Sequence, residues 1–248
     1  MRLRAMLLAL TIATPAWAPA YCETIDPVEV RYEMFWGGFR AAEARLVRAG
    51  TEAELVMRAT GMADTLAAFA MEAETQHNQF RSHSRSKSME STLAVDFHGT
   101  PRTLVDEIRR TNPDDNKEPR PPVPEALKAG TMDPLTAMIT ASRRILSGHA
   151  GERFTMPVYD GRNRYDAVVT VGGPGSTTLG NRRITGTRAT IAFKPLAGFR
   201  KKSQELWDGA TFTLLLDPTT QLPARIVSDS FTIATVISAV PPVQKTGG

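Results

Sequence analysis

The sequence predicts a mainly β protein: a single antiparallel, strongly curved sheet or open barrel with one main α-helix packed on it. Three observations carry that prediction. Apolar residues alternate with polar ones along many short runs, which is the period of a half-buried strand. Turn chemistry rich in Gly, Pro and Asp separates the runs. One segment, residues 133–147, has both the spacing and the end signals of a sizeable amphipathic helix. The chain has 248 residues, 42% hydrophobic and 23% charged, enough for one large all-β domain with a packed core.

The first twenty residues read as an export signal, removed before folding. Arg2 and Arg4 make a basic start and residues 5–13 a short apolar run. Ala16-Trp17-Ala18 and Ala18-Pro19-Ala20 both satisfy the small-x-small cleavage rule. A cut after Ala20 is expected, because a cut after Ala18 would leave Pro19 at the mature terminus. The apolar run is well short of the roughly 20 residues that span a bilayer, and no later segment is apolar enough to do so. The expected location is therefore the periplasm. Cys22 is the only cysteine, so no internal disulfide can form. Tyr21 before it breaks the small-residue rule for a lipid-anchored cysteine, and Cys22 reads as an ordinary thiol.

Residues 28–60 form the expected nucleus. Val28, Val30, Tyr32, Met34 and Trp36 share one parity, with Glu29, Arg31 and Glu33 on the other. Gly37-Gly38 permits a tight reversal. Ala42, Ala44 and Leu46 alternate on the way back, and Leu55, Met57 and Ala59 alternate after a turn at Ala49-Gly50-Thr51-Glu52. A short helical turn is expected across residues 61–71, where Met62, Leu66 and Phe69 are spaced four and three apart, the other reading being an apolar loop tucked under the sheet. Residues 72–87 are so polar that they read as an exposed edge strand whose charges discourage aggregation. The other reading is a hydrophilic strand facing a cavity or a partner. Strands are expected at 89–95 and 100–108, and a surface loop at 109–124, which holds five prolines and no apolar period.

Asp133 is a good N-cap for the main helix and Pro134 suits its first position. Leu135, Met138, Ile139 and Ile145 fall near one face, Arg143-Arg144 lie late, and Gly148 ends it. Beyond it strands are expected at 154–159, 164–171, 183–193, 205–216 and 224–240. The turns are Asp160-Gly161-Arg162-Asn163, a loop at Gly172-Gly173-Pro174-Gly175, and residues 217–223. The expected organisation is a signal at 1–20, one β-rich domain at 21–240 and a frayed tail at 241–248.

The order of the pieces is itself informative. A Tyr-containing first strand runs into Trp36-Gly37-Gly38-Phe39 and Ala41-Ala42-Glu43-Ala44. The helix beginning Asp133-Pro134-Leu135-Thr136-Ala137-Met138 follows, then the hairpin around Tyr159-Asp160-Gly161-Arg162-Asn163. The strand beginning Trp207-Asp208-Gly209-Ala210-Thr211-Phe212 and the strand Leu222-Pro223-Ala224-Arg225-Ile226 close the series. From about residue 29 to 238 this order resembles the exported proteobacterial family known as domain of unknown function 3108. That family has no established activity, so the resemblance implies a fold and no catalytic residues. The strand-rich outline is also similar to the curved half-barrels of periplasmic lipoprotein carriers of the LolA/LolB type, a likeness of fold alone.

Chemistry is sparse. The formal net charge is +4, and without Arg2 and Arg4 there are 28 basic residues against 26 acidic, which is not the balance of a nucleic-acid binder. His77 and His83, taken on one strand, would lie roughly 20 Å apart at about 3.3 Å per residue, too far for one metal site. Ser82, Ser84, Ser86 and Ser88 alternate with charges and lack the glycine pattern of a nucleophile elbow. The glycines at 172–175 lack the Lys-Ser/Thr ending of a phosphate loop. No catalytic motif, metal site or cofactor is therefore expected. The apolar set Tyr32, Met34, Trp36, Leu55, Met57, Phe69, Met138, Trp207 and Phe212 is large and soft enough to line a cavity for an irregular apolar ligand. The expected function is a non-catalytic periplasmic carrier of a lipid or other apolar small molecule in cell-envelope maintenance. The alternative is an envelope scaffold with a solid core and a protein partner.

Overall fold

The alternation that begins at Val28 develops into one continuous antiparallel ladder. A computed structural model describes residues 27–111, 119–231 and 234–241. The expected export signal, Cys22 and the tail beyond 241 lie outside the described residues. Seven strands come first: β1 (Val28–Trp36), β2 (Phe39–Ala49), β3 (Glu52–Ala59), β4 (Ala70–Gln76), β5 (Gln79–Arg85), β6 (Met89–Asp96) and β7 (Arg102–Arg110). Helix α1 (Gly61–Ala67) sits between β3 and β4. Helices α2 (Glu125–Lys128) and α3 (Pro134–Ser147) follow β7. Then come β8 (Arg153–Tyr159), β9 (Arg164–Leu179), β10 (Arg182–Ala197), helix α4 (Lys201–Trp207), β11 (Thr211–Asp217), β12 (Leu222–Ser228) and β13 (Thr235–Val240).

The sheet order is β7-β6-β5-β4-β3-β2-β1-β13-β12-β11-β10-β9-β8. Every neighbouring pair is adjacent in sequence except β1 with β13, which join the two halves through Tyr32 opposite Ala239 and Met34 opposite Ile237. This is an open sheet of thirteen strands with β7 and β8 as its edges. The single curved sheet with one main helix is therefore the architecture present.

The sheet curls until its two ends face each other across a seam, which side chains bridge. The hydroxyls of Tyr159 and Thr103 lie 3.0 Å apart, and Thr103 also donates to the Gly161 carbonyl at 3.2 Å. Arg162 donates from Nε to Asp106 at 2.7 Å and from Nη1 to Ser91 at 2.7 Å. Gly161 is required here: a Cβ would fall within 2.7 Å of Val95.

Helix α3 lies in the hollow of the curve. Leu135 and Ile139 join a core with Tyr32, Leu46, Phe80 and Leu93. Ala137, Ala141 and Ile145 join a second core with Phe154, Val169, Ala189 and Leu214. The helix thus buries opposite flanks against the two halves of the sheet. Each fully buried Ile or Leu is worth about 1.5–3 kcal/mol. The start of α3 follows the expectation. The Asp133 carboxylate accepts the amides of Leu135 and Thr136, both at 2.9 Å, and the hydroxyls of Thr75 at 3.0 Å and Thr136 at 2.5 Å. Gly148 does end the helix, in extended backbone. Its reason is space, since a Cβ would meet Glu152 Oε2 at 2.6 Å and the Arg144 carbonyl at 2.9 Å.

Four expectations are corrected. Residues 72–87 are an interior hairpin, because His77 and Asn78 both take positive φ and close a two-residue turn. β5 is paired on both sides, and the polar edge is β7. Residues 172–175 are strand, because β9 continues through a bulge opposite Arg188, and Gly172 and Gly175 leave room for that arginine. The strand expected from 205 begins at Thr211, because the helix-forming run Lys-Lys-Ser-Gln-Glu-Leu makes α4 first. The long last strand is two strands. At the break, Ser228 donates to the Thr211 carbonyl at 2.8 Å and the Thr211 amide donates to Ser230 Oγ at 2.8 Å.

Candidate functional site: an apolar cavity beside the central helix

The inward face of α3 carries Pro134, Met138, Ala141, Ser142 and Ile145, the repeat that puts residues on one helical stripe. Opposite it, alternation delivers the inner residues of five strands. Val169 of β9 stands across from Ile191 of β10, and Ile191 from Phe212 of β11. Small residues on the helix against large ones on the sheet leave space between them. The result is a cavity of about 350 Å³ with no charged side chain among the described residues of its lining. Tyr165 and Ser142 are its hydroxyl-bearing members.

One end of the cavity is lined by aromatic rings. Trp207, the last residue of α4, lies 5.5 Å from the Phe193 ring, 6.3 Å from Phe212 and 5.5 Å from Phe231. Phe193 also packs on Tyr165 at 5.4 Å. Burial holds the Tyr165 phenol well above its ordinary pKa, with Asp160 and Asp133 adding to the effect, so this wall stays neutral.

A second cavity of about 550 Å³ opens where the β9–β10 hairpin tip folds toward β1 and β13. It is larger but of mixed character, with Glu29, Arg31, Arg182 and Asp217 among its lining residues. The two cavities share Pro223. The smaller one is the better match to an apolar ligand, because it asks none of its walls to desolvate a charge.

The nine residues singled out in sequence divide between places. Met138, Trp207 and Phe212 line the apolar cavity. Tyr32 is buried in the other core beside Leu135 and Ile139, and its hydroxyl has no hydrogen-bond partner among the described residues. Leu55 packs against that core from its edge. Met34 and Met57 are half-buried on β1 and β3, two strands away from each other. Phe69 is half-buried between α1 and β4, and Trp36 stands exposed at the strand ends. Sequence reasoning missed Tyr165, Ile191 and Phe193. The parity of β9 was legible, but the register that sets β9, β10 and β11 side by side was not. It also missed Arg48, a buried guanidinium donating to the Thr220 carbonyl at 3.2 Å, whose proton affinity is lowered by burial and by nearby Arg143.

The histidines are scattered over the surface. His83 meets Glu90 at 3.0 Å, His98 meets Asp96 at 2.6 Å, and His77 and His149 lie 3.9 and 3.7 Å from Glu52 and Glu152. None lines either cavity. Among the described residues no three His, Cys, Asp or Glu side chains gather as a metal-binding group.

Fold and cavity together define a class: an open antiparallel β-barrel with a helix in its hollow. The chain belongs to the family described as "Protein of unknown function (DUF3108)", whose model matches residues 31–230. Among solved structures it is similar to a crystal structure of a beta-barrel-like protein of domain of unknown function DUF1849 from Brucella abortus. That match has 11% identity and a TM-score of 0.50, covering 88% of this chain and 97% of the other. The likeness is one of fold. No curated protein matches the sequence significantly.

Proposed function

We propose that the protein is an exported, periplasmic, non-catalytic carrier that holds a lipophilic molecule in the cavity between α3 and strands β8–β12. One observation carries the reading: about 350 Å³ of space lined almost entirely by apolar side chains, within the roughly 300–1,000 Å³ typical of small-molecule sites. Met138 and Met156 lend the walls an adaptable surface suited to an irregular chain. Trp207 at the aromatic end is a built-in reporter of occupancy.

The test is native mass spectrometry of the protein purified from its own host, with organic extraction of anything bound. N-terminal sequencing and periplasmic fractionation of the same preparation check export and cleavage near Ala20. A reproducible apolar passenger is expected, as is quenching or a shift of Trp207 fluorescence on adding a fatty acid or phospholipid. Ala141→Phe should fill the cavity and reduce uptake at least about tenfold, the factor set by some 1.4 kcal/mol, while Met34→Ala outside it should not. A clean apo mass with no uptake of either probe would sink the carrier reading and favour the scaffold.

A further inference from the structure

Large apolar side chains stand in solvent at one end of the sheet. Trp36 and Phe39 flank the β1–β2 turn, 52% and 74% exposed, and Met62 and Leu66 on α1 are 73% and 74% exposed. Met62 and Leu66 are four residues apart, hence on one stripe of the helix, and α1 buries none of its residues. The two turns are knitted into one rim. The Thr60 amide donates to the Ala41 carbonyl at 2.9 Å, the Lys87 amide to the Ala67 carbonyl at 3.0 Å, and Lys87 Nζ to the Thr65 carbonyl. Single exposed apolar residues are ordinary, but four on two adjoining turns mark an interaction surface.

The charges around the rim indicate what it meets. Arg58 and Arg85 flank the same strand ends, opposite Glu43 and Glu90 in register but within ion-pair distance of no acid among the described residues, and Lys87 bonds only a carbonyl there. Asp64 is the acid of α1, while Arg40 is balanced by Glu33 and Glu43. A specific protein partner or a second copy buries about 800 Å² on each side around a well-packed centre, and four separate tips on two turns present no such continuous face. Here the apolar groups are separate tips, aromatic at the hairpin and aliphatic on the helix, with Arg58, Arg85 and Lys87 beside them. That combination matches the interface of a bilayer, where Trp and Phe seat at headgroup depth and Arg and Lys meet lipid phosphates.

We propose that this rim docks peripherally on an anionic phospholipid surface. Strand register puts Trp36, opposite Thr235, at the same end of the sheet as the start of β11 and helix α4, where Leu206 is also exposed. Docking would turn the aromatic end of the cavity toward the membrane. The proposal does not depend on the cavity holding a ligand.

The experiment is vesicle flotation of the protein as exported, using phosphatidylglycerol/phosphatidylethanolamine vesicles and phosphatidylcholine vesicles in parallel. Binding is expected to the anionic vesicles, to fall on adding salt, and to fall at least about tenfold in the double variant Phe39→Ser/Leu66→Ser, since each fully buried apolar side chain contributes more than a tenfold factor. Brominated lipid should quench Trp36, and Trp36→Phe should abolish that part of the signal. Both serines replace exposed groups, so an unchanged melting temperature separates lost docking from lost folding. No binding to anionic vesicles would overturn the proposal, as would binding indifferent to the double variant. Concentration-dependent self-association that the double variant abolishes, without vesicle binding, would assign the rim to a second copy instead.

Discussion

Replacing Asp133 tests whether one carboxylate sets the position of the central helix. Its oxygens cap two amides of α3 and tie that helix to β4 through Thr75, which is buried. In Asp133→Ala the lost cap costs about 1–2 kcal/mol. A buried hydroxyl left without a partner costs about 1–3 kcal/mol more. Thr75 and Thr136 already lie 3.3 Å apart and can turn toward each other, which holds the second figure near its lower end. The sum is about 2–3 kcal/mol. At roughly 2–4 °C per kcal/mol for a chain of this size, melting should fall by about 4–12 °C. Asp133→Asn keeps the cap, because Asn is as good an N-cap as Asp. Its amide nitrogen can still meet hydroxyls that rotate to accept, so the loss should be about 1 kcal/mol. Urea denaturation followed by circular dichroism, with calorimetry for the midpoint, measures both. Equal losses in the two variants, or an alanine variant within about 1 °C of the parent, would refute the cap argument.

Three further substitutions probe other joints. Tyr32→Phe keeps the packing and removes a buried hydroxyl that has no partner among the described residues, so stability should rise by up to about 1 kcal/mol in the same urea titration. Burial raises the phenol pKa of Tyr32 and of Tyr165 above the ordinary value of 10.0. The folded state then keeps both neutral where the unfolded chain ionises. Their contribution is complete below pH 10 and declines above it at about 1.4 kcal/mol per unit for each phenol, and Tyr32→Phe should halve that alkaline slope. Gly186→Ala would place a methyl group inside the radius of the Leu216 carbonyl oxygen. Backbone must move, and a loss above about 3 kcal/mol is expected, read as poor folding on expression or a collapsed midpoint. Arg162→Ala cuts the seam bonds to Asp106 and Ser91. Amide exchange should quicken in β7 while β2, paired on both sides, keeps its protection. Uniform exchange would show that the seam is held by something else.

Much of this fold was legible because its strands are half-buried. In β1 to β3 the inner parity is set by Val30, Tyr32, Leu46 and Ala53, and charged residues dominate the other parity, with Phe35, Val47 and Val56 as its apolar members. The cap and proline at 133–134 made α3 equally plain. What failed was long-range. Residues 72–87 read as one edge strand because no glycine marks the turn, yet His77 and Asn78 adopt left-handed backbone without one. Gly172 and Gly175 read as a loop because their purpose is to receive Arg188 from a neighbouring strand. The cavity suffered the same limit. Trp207 and Phe212 could be singled out as large and apolar, but their neighbour Phe193 comes from β10, and only strand register brings it in.

The open seam follows from the chemistry of the two edges. On β8, Pro157 has no amide to offer, and Met132 already uses that edge: its amide donates to the Pro157 carbonyl at 3.0 Å and its carbonyl accepts from the Tyr159 amide at 3.0 Å. A ladder to β7 therefore has no free register on this side. On β7, Arg102, Asp106, Glu107 and Arg109 are exposed, the charge density that keeps an edge unpaired. Met132 immediately precedes the Asp133 cap, so the residue that blocks the β8 edge also anchors the start of α3. Blocking the edge and filling the hollow are thus one device. A closed ladder would leave the helix no entry at this seam, whereas the blocked edge admits α3, and the small residues Ala137, Ala141 and Ser142 on its inner flank leave the space that becomes the cavity.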